Sequence, residues 1–232
     1  MFKKDLYGTI LKDFYNGNTD VEVLLHNHYG EAEDYPINLF FRTEIEMPEA
    51  ETIALDLCKG KVLDLGAGSG NHALALQEKG FEVVAIDISK GACEVMQLRG
   101  VKNVVCADVM DYHKEKFDTL LLMMNGIGFV GYIDDLKLFL KHADTLLNPD
   151  GQILFDSSDV SYLYEDLDRT AEPYYGETDY QYEYKNQKSE WFSWLYIDEW
   201  TMRKVAKECG WELQVVYQNL DDNYLGRLTK VM

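Results

Sequence analysis

From residue 61 onward, short β-branched and aliphatic runs alternate with stretches whose apolar positions recur at helical spacing. That alternation predicts βαβ units and a mostly parallel α/β sheet. Residues 61–65 read as a first strand, followed by a glycine-rich turn and a helix over 71–79 that Gly80 ends. Residues 81–86 form a second strand. Ser89 stands where a helix running to 98 needs its N-cap, Gly100 stops that helix, and 104–107 supply a third strand. Residues 117–124 make a fourth. Leu136, Phe139, Leu140, Ala143, Leu146 and Leu147 keep helical spacing, and Asn148-Pro149-Asp150-Gly151 reads as a turn into a fifth strand over 152–156.

Beyond residue 156 the simple alternation stops. Tyr180, Tyr182 and Tyr184 fall on one face of a strand, 186–189 read as a turn and 191–197 as the returning strand, which together predict a β-hairpin insertion. Asp198 can cap a helix with Met202, Val205, Ala206 and Cys209 on one stripe, ended by Gly210, and 212–217 and 224–231 finish the chain as an antiparallel pair. The first 57 residues show helical fragments at 6–14 and 48–57, joined by a polar, irregular segment over 26–36 that reads as a lid. The expected organisation is a single domain over 1–232. Its parts are an N-terminal helical cover (1–57), a ligand-binding core (58–156), a substrate-side insertion (157–197) and a C-terminal helix with strands (198–232).

Composition narrows the function. With 232 residues, 47% of them hydrophobic, the chain can bury one large core. Its 41 acidic and 22 basic side chains leave a formal charge of −19, which repels a phosphate backbone and argues against nucleic acid. The longest apolar stretch, 120–133, is interrupted by Asn125 and three glycines and falls short of the roughly 20 residues that cross a bilayer. Residues 1–15 mix lysines and aspartates among apolar side chains, unlike a secretory signal, so a cytoplasmic protein without membrane partners is expected. Cys58, Cys93, Cys106 and Cys209 are scattered, which suggests neither a disulfide framework nor a metal site.

The stretch Val62-Leu63-Asp64-Leu65-Gly66-Ala67-Gly68-Ser69-Gly70 lies between a strand and a helix, where glycines permit a tight turn and close backbone approach by a ligand. A nicotinamide-binding GxGxxG needs glycine at position 71, which is Asn71, so an oxidoreductase is disfavoured. Asp64, Gly66, Gly68 and Gly70 match the acid-x-Gly-x-Gly-x-Gly first motif of the class I S-adenosylmethionine-dependent methyltransferases, and the chain resembles that family across residues 61–156. The resemblance implies a doubly wound, mostly parallel seven-stranded Rossmann-like sheet and S-adenosyl-L-methionine as cofactor. It assigns the ribose hydroxyls to Asp87, 23 residues after Asp64, and the adenine amino group to Asp108, with Val109 beside it and Ile88 packed on the ring. Gly66, Ala67 and Gly68 would approach the methionine portion, while Asp64 would orient the turn or hold the cofactor's ammonium, directly or through water.

Methyl transfer from a sulfonium needs in-line placement more than acid–base help, so a base is optional. The fourth strand ends Met123-Met124-Asn125-Gly126, unlike the Asn/Asp-Pro-Pro-aromatic signature of enzymes that methylate nucleobase and glutamine amino groups. A small-molecule acceptor is therefore expected. Asn125 is placed either to contact cofactor or acceptor or to cap its strand. Asp156, at the end of the fifth strand, and His28, with His26 in the lid, are the other catalytic candidates, and Arg42 is a candidate for the cofactor carboxylate. The tyrosine face at 180–184, with Tyr174, Tyr175, Trp191 and Trp194, reads either as an acceptor pocket or as hairpin packing. A noncatalytic S-adenosylmethionine-binding protein of the same fold is the alternative function. Spacing carries no information on oligomeric state.

Overall fold

A computed structural model describes residues 5–20, 22–164, 173–219 and 222–231. The expected core elements are present: β3 (Lys61–Leu65), α3 (Asn71–Glu78), β4 (Glu82–Asp87), α4 (Lys90–Arg99), β5 (Val104–Cys106), β6 (Phe117–Leu122), α5 (Ile133–Leu146) and β7 (Leu147–Ser158). The chain closes with α6 (Glu199–Glu208), β11 (Trp211–Gln218) and β12 (Asn223–Lys230). Seven strands form one sheet in the order β11-β12-β7-β6-β3-β4-β5. The pairs β4/β5 and β6/β7 run parallel, whereas β12 lies antiparallel to both β7 and β11. A mostly parallel Rossmann-like α/β sheet is thus the fold.

Two compact units divide the chain. The first contains the segment up to Met47, Asp64–Tyr112 and Asp179–Phe192. Within it, Ser89 accepts from Ala92 N and caps α4 as its sequence position implies, and Gly100 ends that helix in the left-handed conformation. The first helix, α1 (Leu6–Tyr15), lays Leu6, Ile10 and Leu11 against Ala92 and Val95 of α4 and against Val23, Ile37 and Tyr184.

The segment read as an irregular lid is in part a hairpin. Here β1 (Val23–His26) pairs antiparallel with β2 (Glu33–Asp34), and β1 also pairs with β8 (Glu177–Tyr184), Leu25 standing opposite Tyr182. A smaller sheet in the order β10-β8-β1-β2 results, with β9 (Gln187–Lys188) attached to β8 and β10 (Phe192–Leu195) at its margin. Both β2 residues are acidic and exposed, so no apolar alternation marks them as a strand. The hairpin after β8 turns on Lys185-Asn186, both at positive φ, one residue earlier than the sequence suggests.

The second unit contains Pro48–Leu63, His113–Thr178 and the chain from Ser193 onward. Here α2 (Glu49–Leu57) buries Ala54 and Leu55, α5 buries Leu136, Phe139, Leu140, Ala143 and Leu146, and α6 buries Met202, Val205 and Ala206. Asp198 caps α6 through Thr201 N. The predicted turn at 148–151 is a bulge inside β7: pairing with β6 slips from Phe117↔Leu147 to Thr119↔Gln152, with Asp150 at φ +65°.

Candidate functional site

At the end of β3 the chain leaves the sheet through Gly66 and Gly68, at φ +65° and +57°. A Cβ on Gly66 would meet nothing within 4 Å, so the backbone itself borders open space there. Gly66 N and Ala67 N donate to Ile86 O at 2.9 and 3.2 Å, which ties the turn to β4. Asp87 completes the tie. Its Oδ2 accepts from Gly68 N at 2.9 Å and its Oδ1 from Ser89 N at 2.8 Å, so one carboxylate holds both the glycine turn and the entry to α4.

Both acids of the first two strand ends are dry. Asp87 is 8% exposed, and burial pushes its carboxyl up to about 6 against the pull of the Ser89 and Gly68 amides. Asp64 is 1% exposed and is likewise pushed up to about 6 by burial, with His72 and the Ala73 N–H acting in the opposite direction. Among the described residues its Oδ2 has no hydrogen-bond partner. A buried, unsatisfied carboxylate oxygen beside an open glycine turn suits a cationic group, as the ammonium of S-adenosylmethionine requires. Ile88, 74% exposed beside Asp87, offers the apolar surface a purine would cover. Asp108 is exposed and caps the short turn Val109–Asp111 through Met110 N at 2.9 Å, while Val109 is buried.

Arg99 anchors this turn from below, a role that the sequence does not announce. Its Nη1 donates to Ser69 O at 2.9 Å, Ser69 Oγ at 2.5 Å and Asn71 Oδ1 at 2.8 Å, and its guanidinium lies 5.0 Å from the centre of the Phe41 ring. Burial lowers its pKa. Ser69 Oγ donates in turn to Phe40 O, and Asn71 Nδ2 to Leu39 O at 3.0 Å, so the segment 37–41 is laced to the glycine turn. Arg42 stands directly after that segment, and its charge helps hold the Glu46 carboxyl below its ordinary value, after the larger effect of the Thr43 hydrogen bonds.

An aromatic group borders the same turn. Tyr182 stacks on Tyr7 with centroids 5.8 Å apart and meets Tyr35 at 5.1 Å and Phe192 at 5.0 Å. The Tyr182 hydroxyl is pushed up to about 12, first by burial, with the charge of Asp87 also raising it. The two histidines of the N-terminal segment sit on the smaller sheet. His28 stacks on Trp191 at 4.1 Å, and His26 Nε2 lies 2.6 Å from Glu183 Oε2.

Asn125 and Asp156 belong to the second unit. Met124 and Asn125 both adopt positive φ, and Asp156 Oδ1 accepts from Asn125 N at 2.9 Å, holding that turn. The Asn125 carboxamide accepts from Ser157 Oγ at 3.0 Å and donates to Leu195 O at 3.3 Å, which is the work of a strand cap. Tyr174 and Tyr175 are fastened to Asp198, at 2.6 and 3.1 Å, and Tyr175 also to Asp159 at 2.8 Å, so in this unit they serve packing. Trp194 lies so close to Gly128 that a Cβ there would fall 2.1 Å from its Nε1. Among the described residues no helix is long and apolar enough to cross a membrane, and no group of three or more His, Cys, Asp and Glu is arranged to hold a metal ion.

Known proteins resemble this chain in sequence and fold. The methyltransferase domain family matches residues 63–155, the stretch from β3 to β7. A solved S-adenosylmethionine-dependent methyltransferase from Bacteroides fragilis, in complex with S-adenosyl-L-homocysteine, is 41% identical; the match covers 99% of this chain and 96% of that one, with a TM-score of 0.92. The glycine/sarcosine/dimethylglycine N-methyltransferase of Actinopolyspora halophila is 28% identical over 189 residues, and a ubiquinone biosynthesis O-methyltransferase of Pelagibacter ubique is 33% identical over 97 residues. These matches cover 70% and 39% of this chain but only 33% and 39% of those proteins. With near-complete coverage by a relative at that identity, and with the glycine turn and its two buried acids in place, the chain belongs to the class I S-adenosylmethionine-dependent methyltransferases, and S-adenosylmethionine is its cofactor.

Proposed function

We propose that the chain transfers the methyl group of S-adenosylmethionine to a small-molecule acceptor by in-line displacement. The observation that carries this reading is the aromatic cluster of Tyr7, Tyr35, Phe40, Tyr182 and Phe192, of which Tyr7 and Phe40 reach Gly68 of the glycine turn, and which suits a compact acceptor better than an extended polymer. The relatives, an N-methyltransferase of glycine, sarcosine and dimethylglycine and an O-methyltransferase of ubiquinone biosynthesis, point to small acceptors too. A formal charge of −19 disfavours nucleic acid as the acceptor.

The bound cofactor supplies an activated methyl group, and the protein's part is to hold it in line. In this assignment Asp64 holds the ammonium, Asp87 the ribose hydroxyls and Asp108 the adenine amino group, with Ile88 and Val109 against the ring. Gly66, Ala67 and Gly68 give the methionine portion its backbone berth. Asp156 and Asn125 are engaged with each other and with the chain around them, and His28 is stacked on Trp191, so no dedicated base is assigned.

Calorimetric titration with S-adenosylmethionine and S-adenosylhomocysteine, with NAD as control, tests the cofactor step; both sulfur ligands should bind and Asp87→Ala should abolish binding. An acceptor panel of small amines, phenols and carboxylates, read by release of S-adenosylhomocysteine, tests the acceptor class. Binding without turnover on any small molecule, together with methylation of a protein substrate, would reject the small-molecule reading.

A further inference from the structure

The hydroxyl of Tyr7 has a position that packing alone does not explain. Tyr7 occupies the first turn of α1, its ring stacked on Tyr182 at an interplanar angle of 22° and meeting Phe40 edge-on at 6.0 Å. The ring is therefore fixed by two neighbours. Its Oη lies over the second glycine of the turn, 3.0 Å from where a Cβ on Gly68 would stand. Tyr182 gives its hydroxyl to Tyr35, Tyr29 shares a hydrogen bond with Tyr180, and Tyr184 donates to Asp13. Among the described residues, none hydrogen-bonds to the Tyr7 hydroxyl.

The placement of that hydroxyl is specified from the helix end. Asp5 Oδ1 accepts from Gly8 N and Asp5 Oδ2 from Gly91 N, each at 2.8 Å, so one carboxylate caps both α1 and α4. Ser89 Oγ donates to the same carboxylate at 2.9 Å, while Ser89 N is bound to Asp87. Gly8 and Gly91 let the two helix ends touch: a Cβ on Gly91 would lie 2.5 Å from Gly8 Cα. A continuous chain of hydrogen bonds thus runs from Asp5 through Ser89 and Asp87 to Gly68, and Tyr7 stands over its last member. Burial, followed by the charges of Asp87 and Asp5 and by Tyr182, pushes the Tyr7 hydroxyl well above its ordinary range, so it remains a donor at any physiological pH.

We propose that Tyr7 is a cofactor-binding residue, its hydroxyl donating a hydrogen bond to an oxygen of bound S-adenosylmethionine, so that the N-terminal helix forms part of the cofactor site. Two kinds of oxygen have the required chemistry: the ribose oxygens and the amino-acid carboxylate. Asp5 is a positioning residue for this contact, acting through the shared cap.

Tyr7→Phe keeps the ring and both of its stacking partners and deletes only the hydroxyl. The test titrates wild type and Tyr7→Phe with S-adenosylhomocysteine and with 5′-methylthioadenosine, which retains adenine and ribose but lacks the amino-acid part, and follows thermal unfolding of both ligand-free proteins. The variant should bind S-adenosylhomocysteine more weakly, roughly 2- to 10-fold if the lost hydrogen bond went to a ribose oxygen and more than about 10-fold if it went to the carboxylate, with an unchanged unfolding temperature. An equal loss with methylthioadenosine assigns the bond to a ribose oxygen, and a loss confined to S-adenosylhomocysteine assigns it to the carboxylate. Equal affinity of variant and wild type for S-adenosylhomocysteine would overturn the proposal. Failure of the wild type to bind either ligand would overturn the cofactor assignment first.

Discussion

Replacing Asp64 with Asn separates the cost of burying a charge from its use in binding. Burial lifts the Asp64 carboxyl from an ordinary value of about 3.9 to about 6. An acid whose pKa rises on folding has its stabilising influence fully present below the unfolded value and loses it as pH climbs through the folded value. Two pH units at about 1.4 kcal/mol each put the cost of ionising Asp64 in the ligand-free fold at roughly 3 kcal/mol by about pH 8, and near zero by about pH 4. Asn preserves the shape and can still accept from the Ala73 N–H, and it places an amide nitrogen where Oδ2 already lacks a partner, a defect that does not change with pH. Asp87 titrates in both proteins and largely cancels. Urea unfolding of the ligand-free proteins at several pH values should therefore show Asp64→Asn gaining about 2 to 3 kcal/mol relative to wild type between about pH 4 and about pH 8. Binding should move the other way. Ionised Asp64 attracts the ligand's ammonium and ionised Asp87 accepts from the ribose hydroxyls, so wild-type affinity for S-adenosylhomocysteine falls as pH drops through about 6, whereas Asp64→Asn binds weakly throughout. A stability difference that stays constant across this range would refute the charge-burial reasoning.

Arg99→Met removes the donor shared by Ser69 and Asn71 and leaves their oxygens buried; stability should fall by about 2–4 kcal/mol and cofactor affinity should weaken, with Arg99→Lys recovering part of both, as read by thermal unfolding and calorimetry. An unfolding temperature for Arg99→Met equal to that of wild type would remove Arg99 from the support of the turn. At Asn125, where φ is +54°, Gly and Ala lose the same side-chain bonds, but only Ala meets the left-handed penalty, so Asn125→Ala should be about 1 kcal/mol less stable than Asn125→Gly in urea. Equal stabilities would mean that the turn relaxes to ordinary φ.

The route from β3 to α4 was readable because local chemistry and global fold agree there. Ser89 caps the helix it precedes, Gly100 ends it at positive φ, Asp87 closes β4, and Asp64 stands one residue before the end of β3, each after a run of buried apolar residues. The same reasoning failed at 148–151, where turn-forming residues sit in a bulge that β6 keeps in register, and at 26–36, where β1 pairs with a strand more than 150 residues away, His26 facing Gln181. Neither outcome is set by nearest neighbours. Asn125 shows a subtler limit: a polar residue at a strand end has the same appearance whether it faces a ligand or, as here, bonds Leu195 and Ser157.

The aromatic rim was half visible for a related reason. Alternation alone places Tyr180, Tyr182 and Tyr184 on one face, but which of them meets the glycine turn depends on where α1 docks, and α1 docks through Asp5 on Ser89, 84 residues away. Asp5, Tyr7 and Gly8 read locally as an ordinary helix start, a surface aromatic and a poor helix former. Only Gly91, just inside α4, gives a sequence-level hint: a glycine in a first turn costs helix stability unless another backbone has to pass, and here the backbone that passes is that of Gly8. A glycine pair of this kind, one in each of two helix starts and each an easily overlooked blemish alone, therefore places the N-terminal helix, and with it Tyr7, over the cofactor turn.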